Sequence, residues 1–167
     1  IALLVLLHLA FSSFVTTDNA STKLALMKIG RSIDVNEIHY FVQVDNQGKL
    51  FKQNPVEVYW MNFEDKGQKE EMNWIKKKFG YGLNYLNVTD TSARFQFVSY
   101  KERDFFVKRN KNKDFRIFTS SGGREVEVNR IFIQIDGGSF WIPNITKVEL
   151  HATDAETGMK ILEIVRK

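Results

Sequence analysis

"REVEVNRIFIQID", Arg124 to Asp136, is the stretch on which the reading of this chain turns. Val126 and Val128 share one parity, and Ile131, Ile133 and Ile135 share the other. Side chains of a strand alternate between faces with a period of two, so an apolar set does not change parity unaided. The stretch is therefore predicted to be a strand with a β-bulge at Asn129-Arg130, where an extra residue resets the alternation.

Strand patterns and turn signals continue on both sides of it. Downstream, Asp136-Gly137-Gly138-Ser139 turns into "KVELHAT", and Asp154-Ala155-Glu156-Thr157-Gly158 joins that strand to "MKILEIV" as a last hairpin. Upstream, "RDFFVKR" and "DFRIFTS" flank a hairpin loop at Asn110-Lys111-Asn112-Lys113, and "ARFQFVSY" sets Phe95 and Phe97 on the face of Ala93. Further back, "EIHYFVQV" alternates, "DNQGKL" turns, and "VEVYWMNF" follows Pro55 with both faces largely apolar, as in a strand covered on both sides. The period then changes. In "GQKEEMNWIKKKF", Met72, Ile75 and Phe79 fall on one helical stripe, with acids early and lysines late as the helix dipole favours, and Gly80 and Gly82 close it. This helix is expected to pack on the strand Val56 to Phe63, so that Phe79→Ala costs about 3–5 kcal/mol if the ring is buried.

The fold class that results is mainly β: an antiparallel β-sandwich or barrel of about eight strands, with one short helix inserted after the second strand. Composition agrees, since 14 Phe, 5 Tyr and 3 Trp stand against only 2 Pro, and aromatic residues suit pleated, half-buried surfaces. A chain of 167 residues fits one domain with a core of its own.

Residues 1–17 read as a signal peptide truncated at its start, residues 18–36 as an N-terminal arm, and residues 37–167 as a single β-rich domain. The opening "IALLVLLHLAFSSFV" has the apolar run of a signal's central region, and Ala10-Phe11-Ser12 offers small residues where a signal peptidase reads. A membrane span needs about 20 apolar residues, so no transmembrane span is expected in the mature chain. The chain has no cysteine. Export without disulfides suits a bacterial periplasm or exterior better than a small eukaryotic secreted domain.

No motif of catalysis, metal or phosphate binding stands out. Two distant histidines, His39 and His151, give no metal-ligand spacing, and neither glycine pair, Gly122-Gly123 or Gly137-Gly138, precedes a helix as a phosphate cradle does. No metal and no cofactor is expected. Ser beside Gly-Gly is first of all a turn, and no G-x-S-x-G elbow is present. From Arg94 to Arg116, basic residues outnumber acidic ones and alternate with Phe and Tyr. That pattern has two readings: an ordinary solvated strand face, or an anionic-ligand surface centred on Lys108, Arg109, Lys111 and Lys113. Nucleic acid is set aside for an exported protein, whereas anionic lipid and acidic glycan are abundant outside the membrane. Tyr59, Trp60 and Trp74 are the candidates for lining an apolar ligand pocket between helix and sheet, with plain core packing as the alternative.

Three stretches, "NPVEVYW", "NWIKKKFGYGL" and "GGSFWIPNITKVELHATDAETGMKI", resemble the domain-of-unknown-function family DUF4833, and the likeness covers the chain from about Glu37 onward. The resemblance implies an exported domain of Bacteroidota-like bacteria and brings no activity, substrate or catalytic residue with it. Two function classes follow. The first is a non-catalytic binding or interaction module for an apolar or anionic envelope component: an apolar ligand, an anionic lipid or glycan, or an envelope protein. The alternative is a periplasmic hydrolase using loop residues near Ser120 to Gly123 and Asp136 to Ser139. Oligomeric state is not legible in the sequence.

Overall fold

The structure, a computed structural model, describes residues 22–139 and 142–166. The signal peptide expected over residues 1–17 lies outside the described residues. Eleven strands are present among them: β1 (Thr22–Arg31), β2 (Glu37–Val44), β3 (Val56–Asn62), β4 (Gln68–Glu71), β5 (Leu83–Val88), β6 (Ala93–Phe97), β7 (Tyr100–Arg109), β8 (Phe115–Ser121), β9 (Arg124–Gly138), β10 (Pro143–Asp154) and β11 (Lys160–Arg166). A single helical turn, α1 (Trp74–Lys76), runs into a π turn over Lys77–Tyr81.

β9 is the seam of the sheet. Its first residues pair with β8, Phe118 opposite Glu127, and its middle pairs in parallel with β1, Lys28 opposite Arg130 through Arg31 opposite Ile133. Along its other edge it pairs with β10, which carries β11. The bulge lies where β9 exchanges β8 for β1. Arg130 sits opposite His151 and Val128 opposite Ala152, so Asn129 is the extra residue, as the parity change requires. The bulge leaves Val126 and Val128 fully buried and keeps Ile131 buried on the same side.

From that seam two wings diverge, β1-β2-β3-β4 and β8-β7-β6-β5, and curl toward each other as a half-barrel. The core fills the space between them. Ile38, Tyr40 and Val42 of β2 and Val56 and Val58 of β3 meet Phe95 and Phe97 of β6 and Phe105 and Val107 of β7. Tyr40 meets Phe97 edge-on at 5.7 Å between centroids, and the Tyr40 hydroxyl donates to the Tyr81 carbonyl at 2.8 Å. Where the wings come together without pairing, the Tyr85 hydroxyl accepts from the Val56 N–H at 3.2 Å, and the Leu50 N–H donates to the Asp90 carbonyl at 2.8 Å. Burial pushes the phenols of Tyr40 and Tyr85 well above their ordinary range, so both stay neutral donors and acceptors.

Four expectations need correction. The sheet has eleven strands among the described residues, not about eight, and it is mixed, because β1 runs parallel to β9. The segment read as an N-terminal arm supplies β1, a central strand. Gln68–Glu71, read as the start of the helix, is instead an edge strand on β3, with all four side chains in solvent; charged edges of this kind resist further pairing. The helix starts only at Trp74, where the Asn73 side chain caps it by accepting from the Lys76 N–H at 2.9 Å. Met72 is therefore buried from a strand end, and Phe79 lies on the outside of the π turn at 55% exposure, so the cost expected for a buried Phe79 ring does not apply.

Candidate functional site

On the side of the core nearest β9 to β11, the packing is incomplete. A cavity of about 220 Å³ lies between the seam and the Phe-bearing strands β6 and β7. The bulge and the alternation of β10 and β11 shape its walls: Ile131 and Ile133 come from β9, Val148 and Leu150 from β10, Val165 from β11, Phe97 and Phe105 from β6 and β7, and Ile29 from β1. Tyr81 and Gly80 of the π turn close one end. The interior of a protein is ordinarily packed to the density of an organic crystal. A wholly apolar cavity of about 150 Å³ takes up benzene, and by volume this one has room for roughly a bicyclic ring or a short acyl chain.

One charged pair interrupts the apolar wall. Arg103 belongs to the inward parity of β7 with Phe105 and Val107, and Glu163 to the inward parity of β11 with Ile161 and Val165. Their side chains meet, Nη2 to Oε1 at 2.5 Å, with 22% and 23% of their surface exposed. The hydrogen bond from Arg103 holds the Glu163 carboxyl below its ordinary range against the upward push of burial, with Ser121 adding to it; the same bond raises Arg103. Lys147 and Tyr100 stand at the same mouth. The lining contains no histidine, and its Ser99 hydroxyl is committed to the Gly80 carbonyl at 2.7 Å.

The residues singled out in the sequence fall elsewhere. Tyr59 and Trp74 flank a separate, more open groove of about 550 Å³ with Glu57, Glu71, Lys77 and Lys78. Trp60 points to the opposite face of β3, where its indole is held between the Arg31 guanidinium at 4.5 Å and the Lys76 ammonium at 3.7 Å. The three aromatics are not brought into one pocket. Burial, and next the charge of Arg31, lower the Lys76 ammonium from its ordinary value.

Three of the four basic residues singled out, Lys108, Arg109 and Lys111, have side-chain partners within the fold. Lys108 binds Glu125 at 2.6 Å, Arg109 donates to the Gly48 carbonyl at 2.8 Å and lies over the Phe115 ring, and Lys111 donates to the Glu156 carbonyl at 3.0 Å. Lys113 serves the β7–β8 turn through its left-handed backbone, φ 65°. Arg94 pairs with Asp104 and Arg116 with Glu127.

The two serine-bearing turns considered for hydrolysis are opposite ends of β9, on the order of 40 Å apart at strand rise. Gly122 and Gly123, with φ of 57° and 77°, form the two-residue turn from β8 to β9. Asp136 at the far end accepts from Gln134 at 2.9 Å and from Thr146 at 2.7 Å, which in that order keep its carboxyl low. His39 and His151 bond to Glu37 and Glu149, away from either serine turn. Among the described residues no three His, Asp or Glu side chains converge as a metal site. No helix among them is long and apolar enough to cross a membrane, a statement that concerns helices alone.

The cavity was missed in the sequence, although a signal for it existed. An Arg and a Glu sit on the apolar parity of two different strands, and charges on an inward face need each other. Compared with known proteins, the chain matches the family model described as "Domain of unknown function (DUF4833)" over residues 27–164. No curated protein and no solved structure matches it.

Proposed function

We propose, from the premise that this chain belongs to the domain-of-unknown-function family DUF4833, that it is a non-catalytic binding module holding a small apolar or amphipathic ligand in the cavity beneath β9 to β11. The observation that carries this reading is the apolar cavity of about 220 Å³ with one ion pair at its mouth. Pockets for small molecules are mostly apolar with a few placed polar groups, and this one has that composition. The absence of a histidine from its lining, and the separation of the serine turns, favour binding over hydrolysis. The apolar opening of the chain supports action outside the cytoplasm, and export without disulfides suits a bacterial periplasm or exterior better than a eukaryotic secreted domain.

The reading is tested by thermal unfolding with indole, 1-octanol and octanoate as probes, alongside native mass spectrometry of the freshly purified protein. A ligand that binds only the folded state raises its stability by RT ln(1 + [L]/Kd), about 2.7 kcal/mol at a hundredfold excess over Kd. The shift should disappear in Leu150→Trp, whose side chain fills the cavity. If no probe stabilises the wild-type protein and no bound mass is retained, the cavity is a packing defect. The compartment is tested separately, by fractionating cells that express the full-length protein: cytoplasmic retention without cleavage removes the export reading.

A further inference from the structure

The outer face of the sheet, away from the cavity, carries an arrangement that the binding reading does not use. Register aligns His39, Lys28, Arg130 and His151 in one row across β2, β1, β9 and β10. The next row is Glu37, Gly30, Phe132 and Glu149. Residues directly opposite on neighbouring strands project from the same face, so Arg130 stands between two carboxylates. Both are already occupied. Glu37 takes Lys28 and His39, each at 2.9 Å, and Glu149 takes Lys147 at 2.7 Å and His151 at 3.0 Å.

Arg130 is left over. Among the described residues its side chain has no hydrogen bond and no ion pair; its guanidinium lies 5.2 Å from the centre of the Phe132 ring, and its Nε is buried without a partner. Buried polar atoms of that kind are rare and call for an explanation. The guanidinium is also given room on purpose. It lies over Gly30, where a Cβ would stand 2.8 Å from Nη2 and 3.4 Å from the Phe132 ring. Gly30 does not have the positive φ that would demand glycine for the backbone, so the missing side chain serves the recess. Around that recess Lys28, Lys147 and Arg130 face Glu37 and Glu149, which leaves one positive charge uncompensated while the histidines are neutral.

We propose that Arg130, seated over Gly30 and against Phe132, is the centre of a second binding site that takes a small monoanionic group, a carboxylate or a phosphate, on the outer face of the sheet. A guanidinium offers such groups a planar fork of donors, and its uncompensated charge disfavours cations at the same place. The fork of Arg130 lies on the opposite face from the apolar lining of the cavity; Lys147 is the one residue common to both, lining the cavity and reaching Glu149 on this face.

The test is an NMR titration at low ionic strength, with chloride-matched controls, following the Gly30 and Phe132 amides and the Arg130 Nε–H. The probes are inorganic phosphate, acetate and phosphatidylglycerol vesicles. Saturable shifts at these three signals are expected, with affinity about tenfold or more weaker in Arg130→Gln. Arg130→Lys keeps the charge and loses the fork, and is expected to fall between the two. Gly30→Ala displaces the guanidinium and should weaken binding while Arg130 is still present. Response to free phosphate or acetate places the ligand in solution; response to vesicles alone places it on a lipid headgroup; both support the site. Absence of saturable shifts with all three probes overturns it, as do shifts that persist in Arg130→Gln or that spread equally over Lys108 and Lys113. The Gly30 and Phe132 amides adjoin the cavity-lining Ile29, Ile131 and Ile133, so the variant separates the two sites: Arg130→Gln should lose the anion response and keep the stabilisation by apolar probes, and either site can fail without the other.

Discussion

Glu163→Gln separates charge from shape at the cavity mouth. The pair it breaks is roughly four-fifths withdrawn from water on each side. Exposed ion pairs contribute about 0–1 kcal/mol, and removing one partner of a fully buried pair costs about 3–5 kcal/mol; partial exposure here sets the cost at about 2 kcal/mol at neutral pH. Because Arg103 holds the folded Glu163 carboxyl below its ordinary range, the stabilisation is fully present above the unfolded carboxylate value of about 4.3. It is lost as pH falls through the lower folded value. The difference between wild type and variant should therefore be full at neutral pH and shrink in acid. Urea unfolding followed by Trp fluorescence at neutral pH and near pH 3 measures it. Arg103→Met should cost a similar amount, whereas the double variant Arg103→Met, Glu163→Leu replaces the pair by apolar bulk and should lie within about 1 kcal/mol of wild type. Strict additivity of the single costs, or a Glu163→Gln cost that does not change with pH, would refute the coupling inferred from the geometry.

Phe95, fully buried and in ring contact with Tyr85, Phe97 and Phe105, should cost about 3–5 kcal/mol as Phe95→Ala, while Phe79→Ala on the exposed π turn should cost under about 1 kcal/mol; urea midpoints compare them directly, and equal costs would mean the helix is misplaced. A Cβ at Gly82 would stand 2.1 Å from the Lys77 carbonyl oxygen, whereas one at Gly80 meets nothing within 4 Å, so Gly82→Ala should lose about 1–3 kcal/mol by overpacking and Gly80→Ala should be close to neutral by thermal unfolding. Deleting Asn129 removes the bulge and turns either Val126 and Val128 or Ile131 and Ile133 outward, a loss comparable to the whole stability of about 5–15 kcal/mol; a soluble, cooperatively unfolding deletion variant would show that the bulge does not set the register.

Alternation by itself determined much of this fold, because burial on one side of a strand imposes a period of two whatever the strand pairs with. β2, β3 and β6 to β11 are each legible in that way, and the parity change in Arg124 to Asp136 placed the bulge at Asn129-Arg130, which the pairing with β10 narrows to Asn129. What periodicity does not contain is which edges meet. β1 was unreadable because it has a register break of its own between Ala25 and Met27, so Leu26 and Met27 are neighbours in sequence and both buried. β4 has four exposed side chains and no apolar beat, and only the free edge of β3 makes it a strand. The cavity depended on tertiary structure for the same reason. Ile131, Leu150 and Phe105 were each identifiable as inward residues, but the gap among them exists because β9 leaves β8 for β1 at the bulge and carries β10 and β11 past the curled wing. The pairing of Arg103 with Glu163, 60 residues apart in the chain, was decided there too. Side-chain periodicity is a local consequence of burial, whereas the meeting of edges and the space left between them follow from non-local pairing that only the folded chain settles.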